Sequence, residues 1–161
     1  MEQLDALSST ISFAADGHQY LTFTLGREEY GVGILRVQEI RGYSPITPIP
    51  NTPAHVRGVM NLRGAIIPVI DLRAKLAMQA AECNVFTVIV VVRVGTKVLG
   101  LVVDAVSDVL NISEQDIQPA PDFGREVDAR FISGMARAGE RLVVLLDLDR
   151  LLADEAAAEA A

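Results

Sequence analysis

The sequence predicts an all-β fold made of two similar halves of about five strands each, and three observations carry that prediction. Its apolar segments are short, rich in Val, Ile, Thr, Tyr and Phe, and separated by Gly or Pro, which is how strands and their turns are written. Helix-favouring stretches last only a few residues, each behind an Asp or a Ser. The chain also repeats itself, with glycines, a proline and Asp-Leu pairs falling in register.

Taken in order, the first half places strands near 20–25, 29–34, 40–46, 56–60 and 65–70, and the second near 86–94, 97–103, 106–112, 132–136 and 141–146. Asp71, Asp147 and Ser113 precede short helical stretches over 72–76, 148–152 and up to Ile117, because a side-chain oxygen at each can accept an otherwise unpaired backbone N–H. The stretch "ILRVQEI" spaces Ile34, Val37 and Ile40 three apart and fits a helical turn or a bent strand. Residues 1–18 and 154–161 lack apolar partners and are expected to be flexible, the second as an acidic tail.

A shift of 69 residues lays Gly26 on Gly95, Gly31 on Gly100, Val37 on Val106, Ile40 on Val109 and Pro50 on Pro119. A shift of 76 lays Gly58 on Gly134, Asp71 on Asp147 and Leu76 on Leu152. The change of shift predicts seven extra residues in the second half, within "PDFGREVDAR". The repeats span 19–80 and 84–153, with exchange of strands between them open. At roughly 60 residues neither half buries much surface alone, so the two are expected to pack on a shared apolar seam, with the groove between them as the binding site.

Charge and composition remove several function classes. A formal charge of −7 disfavours a nucleic-acid partner, whose affinity rests on Lys and Arg displacing counterions. The acidic start "MEQLDALSST" is no secretory signal, and the apolar run 85–94 contains Thr87 and Arg93 and is too short to span a bilayer. A lone Cys83 forms no internal disulfide and suits a reducing cytoplasm. Asp104 and Asp108 have no nucleophile near them in sequence, and His18, His55 and Cys83 match no zinc-ligand spacing, so the histidines are expected at the surface and the thiol buried. With no phosphate loop, nucleophile elbow or CxxC, the chain is expected to be non-catalytic and to bind neither cofactor nor metal.

What one half has and the other lacks is a candidate for function. "MNLRG" in the first half faces "ARAGE" in the second, so Arg63 falls on Gly139 and has no twin. From spacing alone, a solvated turn arginine and a working one fit equally.

Three stretches, "YLTFTLGREEYGVGILRVQEIRGY", "IPNTPAHVRGVMNLRGAIIPVIDLRAKL" and "KVLGLVVDAVSDVLNISEQDIQPAPDF", resemble the bacterial chemotaxis coupling proteins, the CheW family, over about 20–152. The resemblance implies two pseudo-symmetric SH3-like five-stranded barrels with short helices. It also implies a non-catalytic adaptor joining methyl-accepting chemoreceptors to the histidine kinase CheA, cytoplasmic and held at the inner membrane through receptor arrays. Carried onto this sequence, the groove for the receptor's cytoplasmic hairpin tip falls on Val37, Glu39, Gly58, Arg63 and Val109. The surface for the kinase's regulatory domain falls on Phe123 and Gln118, where many members carry arginine in place of Gln118. Further copies of the coupling protein are expected partners in array rings. A small-barrel metabolite carrier or enzyme using the same groove is the competing reading.

Overall fold

A computed structural model describes residues 18–80, 82–119, 131–153 and 155. Eleven strands among them form two sheets. β1 (His18–Leu25), β2 (Glu28–Gly33), β8 (Ala105–Ile112), β9 (Ile117–Gln118), β10 (Ile132–Ala138) and β11 (Arg141–Leu146) make a six-stranded sheet in the order β8-β1-β2-β11-β10-β9. β3 (Val37–Gly42), β4 (Val56–Leu62), β5 (Ala65–Asp71), β6 (Val88–Val94) and β7 (Lys97–Val103) make a five-stranded sheet in the order β3-β6-β7-β5-β4. The fold is all-β, with only two short α-helices, α1 (Leu72–Lys75) and α2 (Leu148–Leu151), among the described residues.

Each sheet draws on both halves of the chain. The β1–β2 hairpin joins the later strands through a parallel pairing of β2 with β11, and the β6–β7 hairpin joins the earlier ones through a parallel pairing of β7 with β5. Gly31 and Gly100 sit at these two joints, opposite Leu145 and Val69. A Cβ on Gly31 would meet Leu145 at 3.1 Å, and one on Gly100 would meet Ile89 at 2.8 Å, so a side chain at either joint would press on an apolar neighbour that has to give way. The helices match as well. Asp71 accepts from the Ala74 N–H and Asp147 from the Arg150 N–H, each capping the helix that follows its strand. Ser113 caps a 3₁₀ turn, Glu114–Asp116, in the same way.

Three apolar clusters hold this arrangement. The largest joins the two sheets and includes Phe23, Val32, Ile70, Val90, Leu101, Leu148 and Leu151. A second, with Met60, Leu62, Ile67, Ile89 and Val91, belongs to the five-stranded sheet, and a third, with Ile112, Ala136, Val143 and Leu145, to the six-stranded one. Each buried Leu or Ile contributes roughly 1.5–3 kcal/mol of transfer free energy, and the largest share of them lies between the sheets.

One expected strand is displaced. The segment read as 40–46 begins earlier, because Ile34–Arg36 closes a 3₁₀ turn and the chain extends from Val37; it ends at Gly42, ahead of the Ser44-Pro45 pair. "ILRVQEI" is thus a turn followed by a bent strand. The chain then crosses to the far side of the sheet, where Thr47 bridges Val59 of β4. The seven-residue insertion and Phe123 lie outside the described residues, as do the ends of the chain except His18, Ala153 and Glu155.

Candidate functional site

Four hairpins among the described residues turn through two residues: Gly26-Arg27, Arg63-Gly64, Gly95-Thr96 and Gly139-Glu140. The first loop residue has φ +65° at Gly26, +63° at Gly95 and +65° at Gly139. At the β4–β5 turn the same place, with φ +51°, is held by Arg63, and Gly64 follows at φ +91°. Positive φ at both central residues is the type I′ turn that strand twist favours, and it normally selects Asn, Asp or Gly. Left-handed backbone is unfavourable for any residue carrying a Cβ. The Asn61 side chain accepts from the Gly64 N–H at 2.8 Å and helps to hold the turn.

The Arg63 guanidinium, with its side chain 66 % exposed, reaches β3 and donates to Glu39 at 2.5 Å. A bulge in β3 makes this meeting possible. Val37 pairs with Val92 and Glu39 with Val91, which leaves Gln38 unmatched. Strict alternation would put Val37 and Glu39 on one face. The bulge changes the phase: Val37 packs on the core shared by the sheets, while Glu39 lies opposite Val91, on the face of the five-stranded sheet's own cluster. Arg41, two residues on, shares the Glu39 face and lies 3.5 Å from its carboxylate. The bond from Arg63, with help from Arg41, holds the Glu39 carboxyl below the usual carboxylate range.

The remaining expected residues fall into different environments. Val109 lies on β8, an edge of the other sheet, and packs half-buried on the shared core. Val37 does the same from β3, the matching edge of the five-stranded sheet. Gly58 is buried at a bulge of β4 with φ +143°, and a Cβ there would stand 2.0 Å from the Thr47 carbonyl oxygen. The space at Gly58 is therefore taken by the chain's own backbone. Gln118 is exposed on β9, opposite Met135.

A family model described as the CheW-like domain matches residues 19–156. The chain belongs to the CheW family. It is 48 % identical over 139 residues to a chemotaxis protein CheW of Klebsiella aerogenes, covering 86 % of this chain and 84 % of that one. It is 45 % identical over 139 residues to a CheW of Rhizobium meliloti, covering 86 % and 90 %. The crystal structure of the scaffolding protein TtCheW from Thermoanaerobacter tengcongensis superposes with a TM-score of 0.78 at 34 % identity, over 84 % of this chain and 88 % of that one. This CheW-family chain is accordingly a non-catalytic chemotaxis scaffold. Among its described residues no helix is long and apolar enough to cross a membrane.

Sequence reasoning missed other features of this CheW-family chain. Ile66, just past the Arg63 turn, is 62 % exposed, and Ile40, beside Glu39, is 45 % exposed. Cys83, expected to be buried, is exposed beside Arg57, because the segment before β6 runs along the surface. His55 is bonded to Glu155 at 2.6 Å, and Lys75 reaches the same carboxylate at 3.2 Å, so a residue of the segment read as a flexible tail is held against the first half. Asp104 is a structural anchor that accepts from Arg73 and from the Gly26 N–H. A cleft of about 810 Å³ opens between the halves, lined by Tyr30, Leu76, Met78, Met135, Leu142 and Val144.

Proposed function

We propose that this scaffold couples the cytoplasmic hairpin tip of chemoreceptors to the histidine kinase CheA. The observation that carries the reading is Arg63. Where the other three two-residue turns have glycine at the first loop position, with positive φ there alone, this one holds an arginine whose Cβ is unfavourable on left-handed backbone, and its permanently charged, planar group is exposed. Ile66, just past the turn, and Ile40, next to Glu39 in the chain, are exposed apolar side chains of the kind an interface uses. In this reading Arg63, Glu39, Val37 and Val109 contact the receptor, while buried Gly58 acts indirectly by letting the 47–48 segment lie against β4. Gln118 and Phe123 meet the kinase's regulatory domain, further copies of the scaffold complete the array, and the receptors hold the assembly at the inner membrane. Titration with a receptor cytoplasmic fragment and, separately, with the CheA regulatory domain tests it. Both are expected to bind, at separable surfaces, and failure of both would overturn the reading.

The cleft between the halves favours a second reading, since its volume lies in the range of small-molecule sites. That reading predicts strong thermal stabilisation by a metabolite and no binding to either protein fragment.

A further inference from the structure

Glu39 stands between two guanidinium groups that address different oxygens. Arg63 donates to Oε2 at 2.5 Å, and Arg41 Nη1 is 3.5 Å from Oε1, beyond a well-formed charge-assisted bond. Among the described residues Arg41 contacts no other acid, and its Nε is buried without a hydrogen-bond partner. A buried donor left unpaired is unfavourable, and the bond from Arg63 to Oε2 fixes the way the carboxylate faces, so once Arg63 leaves the carboxylate can turn toward Arg41 and shorten the 3.5 Å contact. Arg63 is placed to release it: it is exposed and sits on a left-handed turn residue.

We propose that Arg41 is the reserve partner of Glu39 and frees Arg63 for a carboxylate of a bound protein. This inference rests on the reading that Arg63 faces a partner. Without Arg41, the departure of Arg63 would leave Glu39, a partly exposed carboxylate, with no counter-charge from the site. With Arg41, the exchange keeps one guanidinium on each acid, which lowers the opposition to binding without Arg41 touching the partner. Arg41 is thus a positioning residue.

The test uses Arg63→Gly, which puts on this left-handed backbone the residue that holds the same place in the β10–β11 turn. In the crystal structure of the variant, Arg41 is expected to have closed on Glu39 to about 2.8–3.0 Å, the length of a charge-assisted bond. A thermal-unfolding cycle over Arg63→Gly, Arg41→Met and the double variant is expected to be non-additive, the double variant melting about 2 °C or more below the sum of the single effects. An Arg41 that stays at its parental distance, or additive melting shifts, would overturn the proposal. Neither readout involves the receptor. If the receptor fragment bound Arg63→Gly as tightly as the parent, the assignment of the docking site would fail instead, whatever Arg41 did.

Discussion

Arg63 and Gly58 meet one backbone rule in different surroundings. Both have positive φ, yet Gly58 has no room for a side chain while the Arg63 side chain stands in solvent. Gly58→Ala should therefore cost about 3 kcal/mol or more, lowering Tm by about 6–12 °C, from left-handed strain together with a clash against backbone. A Tm within about 2 °C of the parent would show that the 47–48 segment moves aside. Arg63→Gly should leave Tm unchanged or raise it by a few degrees, because glycine removes the backbone strain. A fall of more than about 3 °C would mean that the Glu39 bond supports the fold. That Arg63 falls on Gly139 and has no twin was legible in the sequence, but the phase change that brings Glu39 to Arg63 was not. A bulge at Gln38 breaks the two-residue period, and nothing in the composition of "VQEIRG" marks it.

At the scale of elements, the strands and caps were legible because alternation and N-cap chemistry are local. The boundary of β3 was not, since the 3₁₀ turn at Ile34–Arg36 and the strand after it share one apolar spacing. The two caps give a graded prediction. Asp147 holds the start of α2 and makes only a 3.7 Å contact with Arg150 besides, whereas Asp71 caps α1 and also accepts from Arg57 at 3.2 Å. Asp147→Ala should cost about 1 kcal/mol, and Asp71→Ala about 2 kcal/mol, because the second also leaves a half-buried guanidinium without its acid. Urea denaturation measures both, and equal losses would mean that the Arg57 contact adds nothing.

For the whole molecule, the matching glycines and caps of the two halves were legible, but the partners of each hairpin were not, because a parallel joint such as β2 with β11 links residues 112 or more positions apart. As both sheets combine early and late strands, a fragment of residues 19–80 should give no cooperative melting transition alone, and should regain one when mixed with residues 82–155. A cooperative transition in the lone fragment would contradict this interdependence. Long-range ion pairs add a pH dependence. Arg141 holds Glu29, and Arg73 holds Asp104, below the ordinary carboxylate range, against the opposing effect of partial burial. Groups depressed in the folded state stabilise it above their unfolded pKa, near 4, and lose that effect as the pH falls through the lower folded value. Tm should thus drop between about pH 5 and pH 3, and Arg73→Gln should make the drop shallower. An unchanged slope would remove Asp104 from the account.

In the proposed function one small scaffold holds two different proteins at separate surfaces, with Arg63 serving only the receptor. The direct measurement is co-sedimentation of the full chain with receptor cytoplasmic fragments and CheA. The parent should bring all three into one assembly. Arg63→Gly should keep its binding to CheA while its affinity for the receptor fragment falls about tenfold or more, the size of loss expected for an interface arginine. Full receptor affinity in the variant, or equal loss of both partners from a protein that still melts like the parent, would contradict the account.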